Sequence, residues 1–468
     1  MLRRFRRRKE RVLVLGLDCA SPDLIFDQFK ADLPTFSRLM AQGTWGALES
    51  SIPCITVPAW SSMLSSRDPG VLGVYGFRNR ADYSYDELSV ADGSAIRVKR
   101  VWDHLSDAGK SSVVVGVPQT YPARPLNGHM VTDFLTPGID SAFTYPAVLK
   151  REVLDLVPEY AFDVKNFRTA DKARLLRDLL DMTDKQMTLV KHLIASKPWD
   201  LFMHVNIGVD RVHHGFWRFH DPAHRLYQPG SPFENVIRDY YKRMDSFAAE
   251  LIDLAGDDTT VLVVSDHGVK RMDGGICVNE WLWRNGWLAL KTPPPEGAIT
   301  RFDPALVDWG KTRAWASGGY YGRVFLNVQG RAPEGTIAPS AYAEVRDELA
   351  AALRAIPDGE GKPLNTQVFK PEAIYQQVNG VAPDLMVYFG DLHWRAVGSF
   401  GHGAHYTLEN DTGQDDANHA PLGMFILYEP GKRGLGRREG HQLMDIAPTL
   451  LDRLGIRVPA EMQGQVIG

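Results

Sequence analysis

The sequence predicts an α/β fold in which helices cover both faces of a doubly wound, mostly parallel sheet. Short apolar runs rich in β-branched residues recur along the chain, as expected of strands that are buried on both faces. Amphipathic stretches lie between these runs, and strands that alternate with helices are typical of a parallel α/β sheet. A smaller α+β insertion is expected to interrupt this core.

Five apolar runs predict the buried parallel strands, namely residues 12–17, 112–117, 201–205, 260–264 and 424–428. Residues 172–194 predict the clearest helix, because their leucines and other apolar residues fall on one side at helical spacing. Residues 445–454 predict a C-terminal helix, with Asp445 as its N-cap and Gly455 just past its end.

The chain has 468 residues, which exceeds the usual length of one domain. Between residues 293 and 392, clusters of Pro and Gly flank short strand candidates such as 323–327 and one helix, 340–356. We therefore expect a catalytic core formed by residues 11–292 and 393–468, with residues 293–392 as the insertion or cap. Residues 1–10 form a basic tail, which we expect to be disordered.

The composition excludes several classes of protein. Hydrophobic residues make up 44% and charged residues 24%, as in an ordinary globular chain. A formal charge of −4 does not suggest a nucleic-acid partner. Three cysteines are too few for a disulfide framework or a thiolate metal site, and no apolar run has the length of a membrane span. We expect a cytoplasmic protein, and the sequence leaves its oligomeric state open.

The N-terminal tail carries an unusual local charge. Residues 1–11 contain seven Lys and Arg residues against one acid, Glu10. One interpretation is a solvated, disordered tail. The other is weak contact with an anionic membrane surface, where each basic residue contributes about 1 kcal/mol.

Side chains of the types that bind metal ions lie close to the ends of the predicted strands. Ligands of doubly wound sheets bind beyond the carboxyl ends of the strands, so these positions are candidate sites. Three carboxylates and three imidazoles at one sheet edge suit two divalent cations. These side chains are Asp18, Asp210, His214, Asp266, His267 and His419.

The spacing of the histidines helps to separate candidates from other imidazoles. Asp210 and His214 are four residues apart and share one side of a helix, whereas His213 lies on a different face. His402 and His405, in a Gly-rich loop, compete with His419 for the last ligand position. We prefer His419 because it lies just before a predicted strand.

The segment around Thr56 offers a nucleophile. Thr56 precedes Pro58, which suits a first helical turn, and residues 59–64 can be helical. Thr56 would then lie at a helix N-terminus, a place that favours anions such as phosphate. From the residues alone, Thr56 is equally well explained as a helix cap. We interpret Cys54, two residues earlier, as a small buried hydrophobic residue.

The order of these motifs resembles the alkaline phosphatase superfamily, and within it the type I phosphodiesterase and nucleotide pyrophosphatase branch. The motifs are Asp18, then Thr56-Val57-Pro58-Ala59-Trp60, then Asp210-x-x-x-His214, then Ser265-Asp266-His267-Gly268, then His419. The resemblance implies an alkaline phosphatase-like fold and a two-metal hydrolase of phosphoric esters. It also implies Thr56 as the nucleophile and a phosphothreonine-type intermediate.

The same resemblance implies how the ligands divide between two metal ions. One ion would be held by Asp18, Asp266, His267 and the Thr56 oxygen. The other would be held by Asp210, His214 and His419. Imidazole ligands in the absence of thiolates favour Zn²⁺, with Mn²⁺ second.

The substrate is expected to be a small phosphoester, and a diester rather than a monoester. Residues 52–66 contain no Arg or Lys to neutralise the second charge of a monoester. Trp60 is expected to provide an apolar wall for the second substituent of a diester. A phosphomonoesterase, a phosphoglycerate mutase-like isomerase and a scaffold that has lost the chemistry remain as alternatives.

Overall fold

The computed structural model describes residues 10–295 and 297–468. The predicted basic tail, apart from Glu10, lies outside these described residues. In chain order, the strands are β1 Val12–Leu17, β2 Thr44–Glu49, β3 Arg78–Arg80, β4 Leu88–Val90, β5 Ser112–Val115, β6 Gly128–Val131, β7 Thr144–Tyr145, β8 Leu201–Asn206, β9 Thr260–Val264, β10 Gly268–Arg271, β11 Gly274–Cys277, β12 Ala314–Ser317, β13 Gly322–Leu326, β14 Gln367–Phe369, β15 Leu385–Tyr388, β16 Trp394–Val397, β17 Tyr406–Thr407, β18 Ala417–Ala420, β19 Leu422–Tyr428, β20 Gly436–Arg437 and β21 His441–Gln442. A mixed ten-stranded sheet organises the fold, with strands in the order β20-β2-β19-β9-β1-β8-β5-β6-β7 and β21 paired to β2.

Helices connect these strands and cover the large sheet, which confirms the predicted α/β class. In chain order, they are α1 Pro34–Gln42, α2 Thr56–Ser65, α3 Pro69–Leu72, α4 Val101–Asp107, α5 Leu149–Leu156, α6 Lys172–Ser196, α7 Gly208–His220, α8 Val236–Ala255, α9 Val278–Arg284, α10 Tyr342–Arg354, α11 Pro371–Ile374 and α12 Ile446–Arg453.

The large sheet has an apolar layer on each face because successive side chains of a strand point to opposite sides. In β1, Leu13 and Leu15 join the core under α6, α7 and α8. Val12 and Val14 join the opposite core, which includes side chains of α2, α4 and α12. The β1 strand is wholly buried and pairs in parallel with both β8 and β9. The carboxyl ends of these three strands therefore meet at one edge.

A second, smaller unit is built on the antiparallel sheet β12-β13-β15-β14 and the helix α10, and we call it the cap. Its strands lie within the predicted insertion, residues 293–392. Its apolar cluster reaches beyond those limits on both sides, to Ile276 and Phe400.

Two local predictions differ from the structure. The predicted parallel strand 424–428 is the antiparallel strand β19, inserted between β9 and β2. Apolar composition fixes burial but not direction, and this strand returns across the sheet. At the C-terminus, Asp445 ends a short turn before α12, and its carboxylate accepts from the backbone N–H of Gln442 instead of capping α12.

Among the described residues, no helix combines the length and apolar character needed to span a bilayer.

Candidate metal centre

The six predicted ligands come from elements that meet at the carboxyl edge of the large sheet. Asp18 follows β1, and Asp266 and His267 follow β9. Asp210 and His214 lie on α7, directly after β8. All of these side chains are buried.

The sixth predicted ligand, His419, lies within a strand. It belongs to β18, which pairs antiparallel with β10, so that His419 lies opposite Val269. Sequence reasoning placed it in a connection just before β19. The short ribbon β10-β18 folds His419 back over the sheet edge, beside His267, and the two imidazole rings stack with centroids 3.9 Å apart.

One group of ligand atoms gathers around Asp210. Its Oδ1 atom lies 3.2 Å from His214 Nε2 and 3.5 Å from His419 Nε2. The two Nε2 atoms are 3.3 Å apart. The four-residue spacing on α7 brings Asp210 and His214 to the same side of the helix.

A second group gathers around His267. Its Nε2 atom lies 3.2 Å from Asp266 Oδ2 and 3.8 Å from Asp18 Oδ1. Thr56 Oγ1, on the first residue of α2, lies 3.3 Å from the same Nε2 atom. His267 also lies close to Asp210 and His419, so the two groups adjoin.

Each of the three imidazoles has an acceptor at Nδ1, which leaves Nε2 to face the centre. His214 Nδ1 donates to Asp415 Oδ1 at 2.6 Å. His267 Nδ1 donates to the carbonyl of Gly268 at 3.1 Å, and His419 Nδ1 donates to the carbonyl of Cys54 at 3.0 Å. This pattern fixes the tautomer and ring orientation of histidines that bind metal ions.

The electrostatics of the site favour a cation. Burial raises the pKa of Asp18 well above its usual range, and the charge of Asp210 raises it further. The pKa of Asp266 is raised in the same way by burial and by Asp18. Asp210 Oδ1 and Asp266 Oδ2 are buried without a hydrogen-bond partner. The site thus combines buried carboxylate oxygens that lack hydrogen-bond partners with imidazole nitrogens. Such nitrogen and oxygen ligands, together with concentrated negative charge, suit divalent cations.

Several residues that support the site were not singled out from the sequence. Burial lowers the pKa of His214, but Asp415 and Asp210 outweigh it and raise that pKa to about 9. Asp415 is itself held by Arg168 at 2.8 Å. Arg211 donates to Asp210 Oδ2 at 2.5 Å. The signal for Asp415 was its place in the acidic run just before His419, but nothing local showed that it reaches His214, 201 residues away.

The prediction that Trp60 forms a wall for the substrate is wrong. Trp60 is fully buried on the inner side of α2, among apolar residues of the core. Its indole Nε1–H donates to Asp18 Oδ2 at 2.7 Å. Trp60 therefore positions a candidate metal ligand from beneath the site and has no surface to offer a substrate.

The competing histidines lie elsewhere. His402 Nε2 contacts Ser399 Oγ at 2.8 Å, and His405 Nε2 contacts the carbonyl of Pro357 at 3.0 Å. His213 faces away from the centre, toward the Tyr241 hydroxyl at 3.2 Å. Cys54 is buried in an apolar cluster, in line with its interpretation as a small hydrophobic residue.

A cavity of about 700 Å³ adjoins the centre, between the cap and α7. Ile55, beside the candidate nucleophile, lines it. Tyr320 lines it as well, and its ring lies 4.5 Å from the ring of His419. The cavity therefore lies next to the candidate metal centre.

The mixed α/β sheet places a buried carboxylate–imidazole centre beside Thr56 at the carboxyl edge of its strands, and a family model identifies the class to which this chain belongs. The family model described as type I phosphodiesterase / nucleotide pyrophosphatase matches residues 12–415. The chain belongs to this family, as its motifs predicted.

Solved structures of similar fold include human ectonucleotide pyrophosphatase/phosphodiesterase 5, with a TM-score of 0.58, 14% identity and 97% of both chains covered. Phosphonoacetate hydrolase from Sinorhizobium meliloti, in complex with phosphonoformate, gives a TM-score of 0.59, 16% identity and 96% coverage of both chains. These similarities concern the fold.

Among curated proteins, 2,3-bisphosphoglycerate-independent phosphoglycerate mutase from Listeria welshimeri is 38% identical over 64 residues. This match covers 14% of the chain and only 12% of the mutase.

Proposed function

We propose that the protein hydrolyses phosphoric diesters or pyrophosphates, with Thr56 as the nucleophile and two divalent cations as cofactors. The observation that carries this proposal is the position of Thr56 Oγ1, 3.3 Å from His267 Nε2 and 3.5 Å from Asp18 Oδ1. The hydroxyl is thus in direct contact with the donor set.

The start of α2 favours a phosphoryl group beside this hydroxyl. The carbonyl of Ile55 accepts the first helical hydrogen bond, from Ala59. The N–H groups of Thr56 and Val57 come before that bond, so the helix itself gives them no partner. Such N–H groups and the helix dipole stabilise an anion.

The donor set divides into two groups for the cations. Asp18, Asp266, His267 and Thr56 would hold one, and Asp210, His214 and His419 the other. Zn²⁺ suits these imidazole and carboxylate donors, with Mn²⁺ second. When bound, the cations supply charge neutralisation at the phosphoryl group and lower the pKa of the attacking hydroxyl.

The reaction proceeds by two displacements at phosphorus. Thr56 Oγ1 bonds to phosphorus while the bond to the leaving oxygen breaks, and that oxygen takes a proton from water. Asp18 Oδ1 accepts the hydrogen bond of the Thr56 hydroxyl and so offers its proton an acceptor. The water that gave this proton is left as hydroxide, which attacks phosphorus, the Oγ1–P bond breaks, and Oγ1 takes back its proton from Asp18.

Two substrates and one variant test the proposal. We expect kcat/KM to be higher for a bis-aryl phosphate than for the matching mono-aryl phosphate, and a ratio below one would favour a monoesterase instead. Thr56→Ala should lower kcat by several orders of magnitude and leave metal content nearly intact. Ser61→Ala, which removes another buried hydroxyl from α2, is the matched control and should retain activity. Wild-type turnover by Thr56→Ala would refute the covalent mechanism.

A phosphotransfer isomerase is a second candidate, because the 64-residue match is to a phosphoglycerate mutase. An isomerase returns the phosphoryl group to an organic product, whereas a hydrolase releases it. Phosphorus NMR of reactions with phosphoglycerates separates the two, since a phosphoglycerate isomer as product would replace the hydrolase proposal.

A further inference from the structure

The wall of the cavity beside the candidate metal centre is rich in arginine. Among the described residues, six arginines line it, against a single lining carboxylate, Asp411. They come from the core and from the cap, so the folded chain brings them together. These arginines are Arg78, Arg168, Arg211, Arg301, Arg323 and Arg395.

Three of the six arginines are neutralised by carboxylates. Arg211 pairs with Asp163 at 2.7 Å. Arg168 pairs with Asp415 at 2.8 Å, and Arg395 pairs with Asp411 at 3.4 Å. These pairs stiffen the wall next to the centre, and each leaves little net charge for a ligand.

The other three, Arg78, Arg301 and Arg323, have no carboxylate partner among residues 10–295 and 297–468. Arg323 lies on β13, opposite Ser317 of β12, and donates to Ser317 Oγ at 2.8 Å. It also donates to the carbonyl of Arg78. A guanidinium has five N–H donors, so Arg323 retains donors for a further acceptor.

We propose that Arg323, with Arg301 and Arg78, forms a subsite for a second anionic group of the substrate, remote from the phosphoryl group that reacts. This inference rests on the proposed function, and it narrows the substrate to a phosphoester or pyrophosphate that carries a further carboxylate or phosphate. Uncompensated positive charge in a concave wall attracts such a group. The planar fork of arginine matches the two oxygens of a carboxylate or phosphate.

The apolar part of the cavity wall indicates which kind of group connects the reacting phosphoryl group of the substrate to its second anionic group. Phe77, Phe302 and Ile299 line the same cavity. Ile299 is 56% exposed, so its side chain is accessible to a ligand in the cavity. The linking part of the substrate is therefore apolar enough to lie against these side chains.

Calorimetric titration of the zinc-loaded protein tests the subsite without relying on turnover. The probes are phosphonopropionate and propylphosphonate, which differ by a carboxylate in place of a methyl group. We expect the carboxylate to lower Kd about tenfold, as for one charge-assisted hydrogen-bonded contact. A series of longer carboxyalkyl phosphonates finds the chain length that reaches the subsite, and propylene bisphosphonate tests phosphate as the second group.

The variants locate the effect. The measured quantity is the Kd of propylphosphonate divided by the Kd of phosphonopropionate. Arg323→Gln should bring this ratio close to one. Arg301→Gln, at an exposed position, should reduce the ratio as well. Arg313→Gln removes a cap arginine that pairs with Glu348 and does not line the cavity, so it should keep the wild-type ratio. Equal Kd values at every chain length would refute the subsite but not the phosphoryl site. Failure of every phosphonate to bind would refute both.

Discussion

Trp60→Phe separates a hydrogen-bonding role from a packing role beneath the candidate metal centre. The Trp60 indole donates to Asp18 Oδ2 at 2.7 Å, and both residues are fully buried. Phenylalanine keeps an aromatic ring but has no donor, so a buried carboxylate oxygen would lose its partner. Loss of the hydrogen-bond partner of a buried acceptor costs about 1–3 kcal/mol of stability.

Trp102→Phe is the matched control. Trp102 is 1% exposed, lies in the same apolar cluster as Trp60, and its indole N–H has no acceptor among the described residues. Both variants remove the same atoms, so the packing loss largely cancels in their difference. We expect Trp60→Phe to be less stable than Trp102→Phe by about 2 kcal/mol. Urea unfolding in the presence of EDTA measures this difference.

The same variant should weaken metal binding, because Asp18 loses the partner that orients it. Removal of a hydrogen bond behind a metal ligand lowers affinity about 10–100-fold. Competition with a chromophoric chelator measures the Zn²⁺ affinity of both variants and of the wild type. Equal stability and equal affinity for Trp60→Phe and Trp102→Phe would refute the positioning role.

Three further predictions concern stability. EDTA should lower the melting temperature and abolish activity, and Zn²⁺ or Mn²⁺ should restore both. The reason is that a ligand bound only to the native state stabilises that state. A metal content near zero in the purified protein would contradict this prediction. Gly208→Ala should lower the free energy of unfolding by about 2–4 kcal/mol in urea, because the new Cβ would overlap the Tyr240 hydroxyl and displace the buried hydrogen bonds of that hydroxyl. Gly138→Ala is the control and should be neutral, because a Cβ at that position meets no other atom. Burial lowers the pKa of His204 from 6.5 to about 4. The folded state therefore binds fewer protons than the unfolded state between these values, and stability present above pH 6.5 is lost as the pH falls toward 4. At pH 5 the wild type should have lost about 2 kcal/mol more than His204→Gln, and parallel pH profiles in EDTA would contradict the shift.

The sequence by itself determined the elements whose signals are local. The limits of β1 and β9 were predicted as observed, because an apolar run between polar ends marks a buried strand. The helix at 172–194 followed from its periodicity and extends two residues further, to Ser196. The shared edge of five candidate ligands followed from one topological rule, that side chains after parallel strands lie at the same edge of a sheet. His419 precedes the antiparallel strand β19, so this rule does not cover it.

Tertiary structure decided everything that depends on contacts between distant segments. The antiparallel direction of β19 follows from its pairing with β2 and β9, which its own composition does not encode. Asp415 reaches His214 across 201 residues, and the side of α2 that carries Trp60 faces the core and not the cavity. The cavity arginines are dispersed along the chain and form one wall only when the cap packs beside the core. Periodicity reports which residues are buried, whereas long-range packing selects their partners.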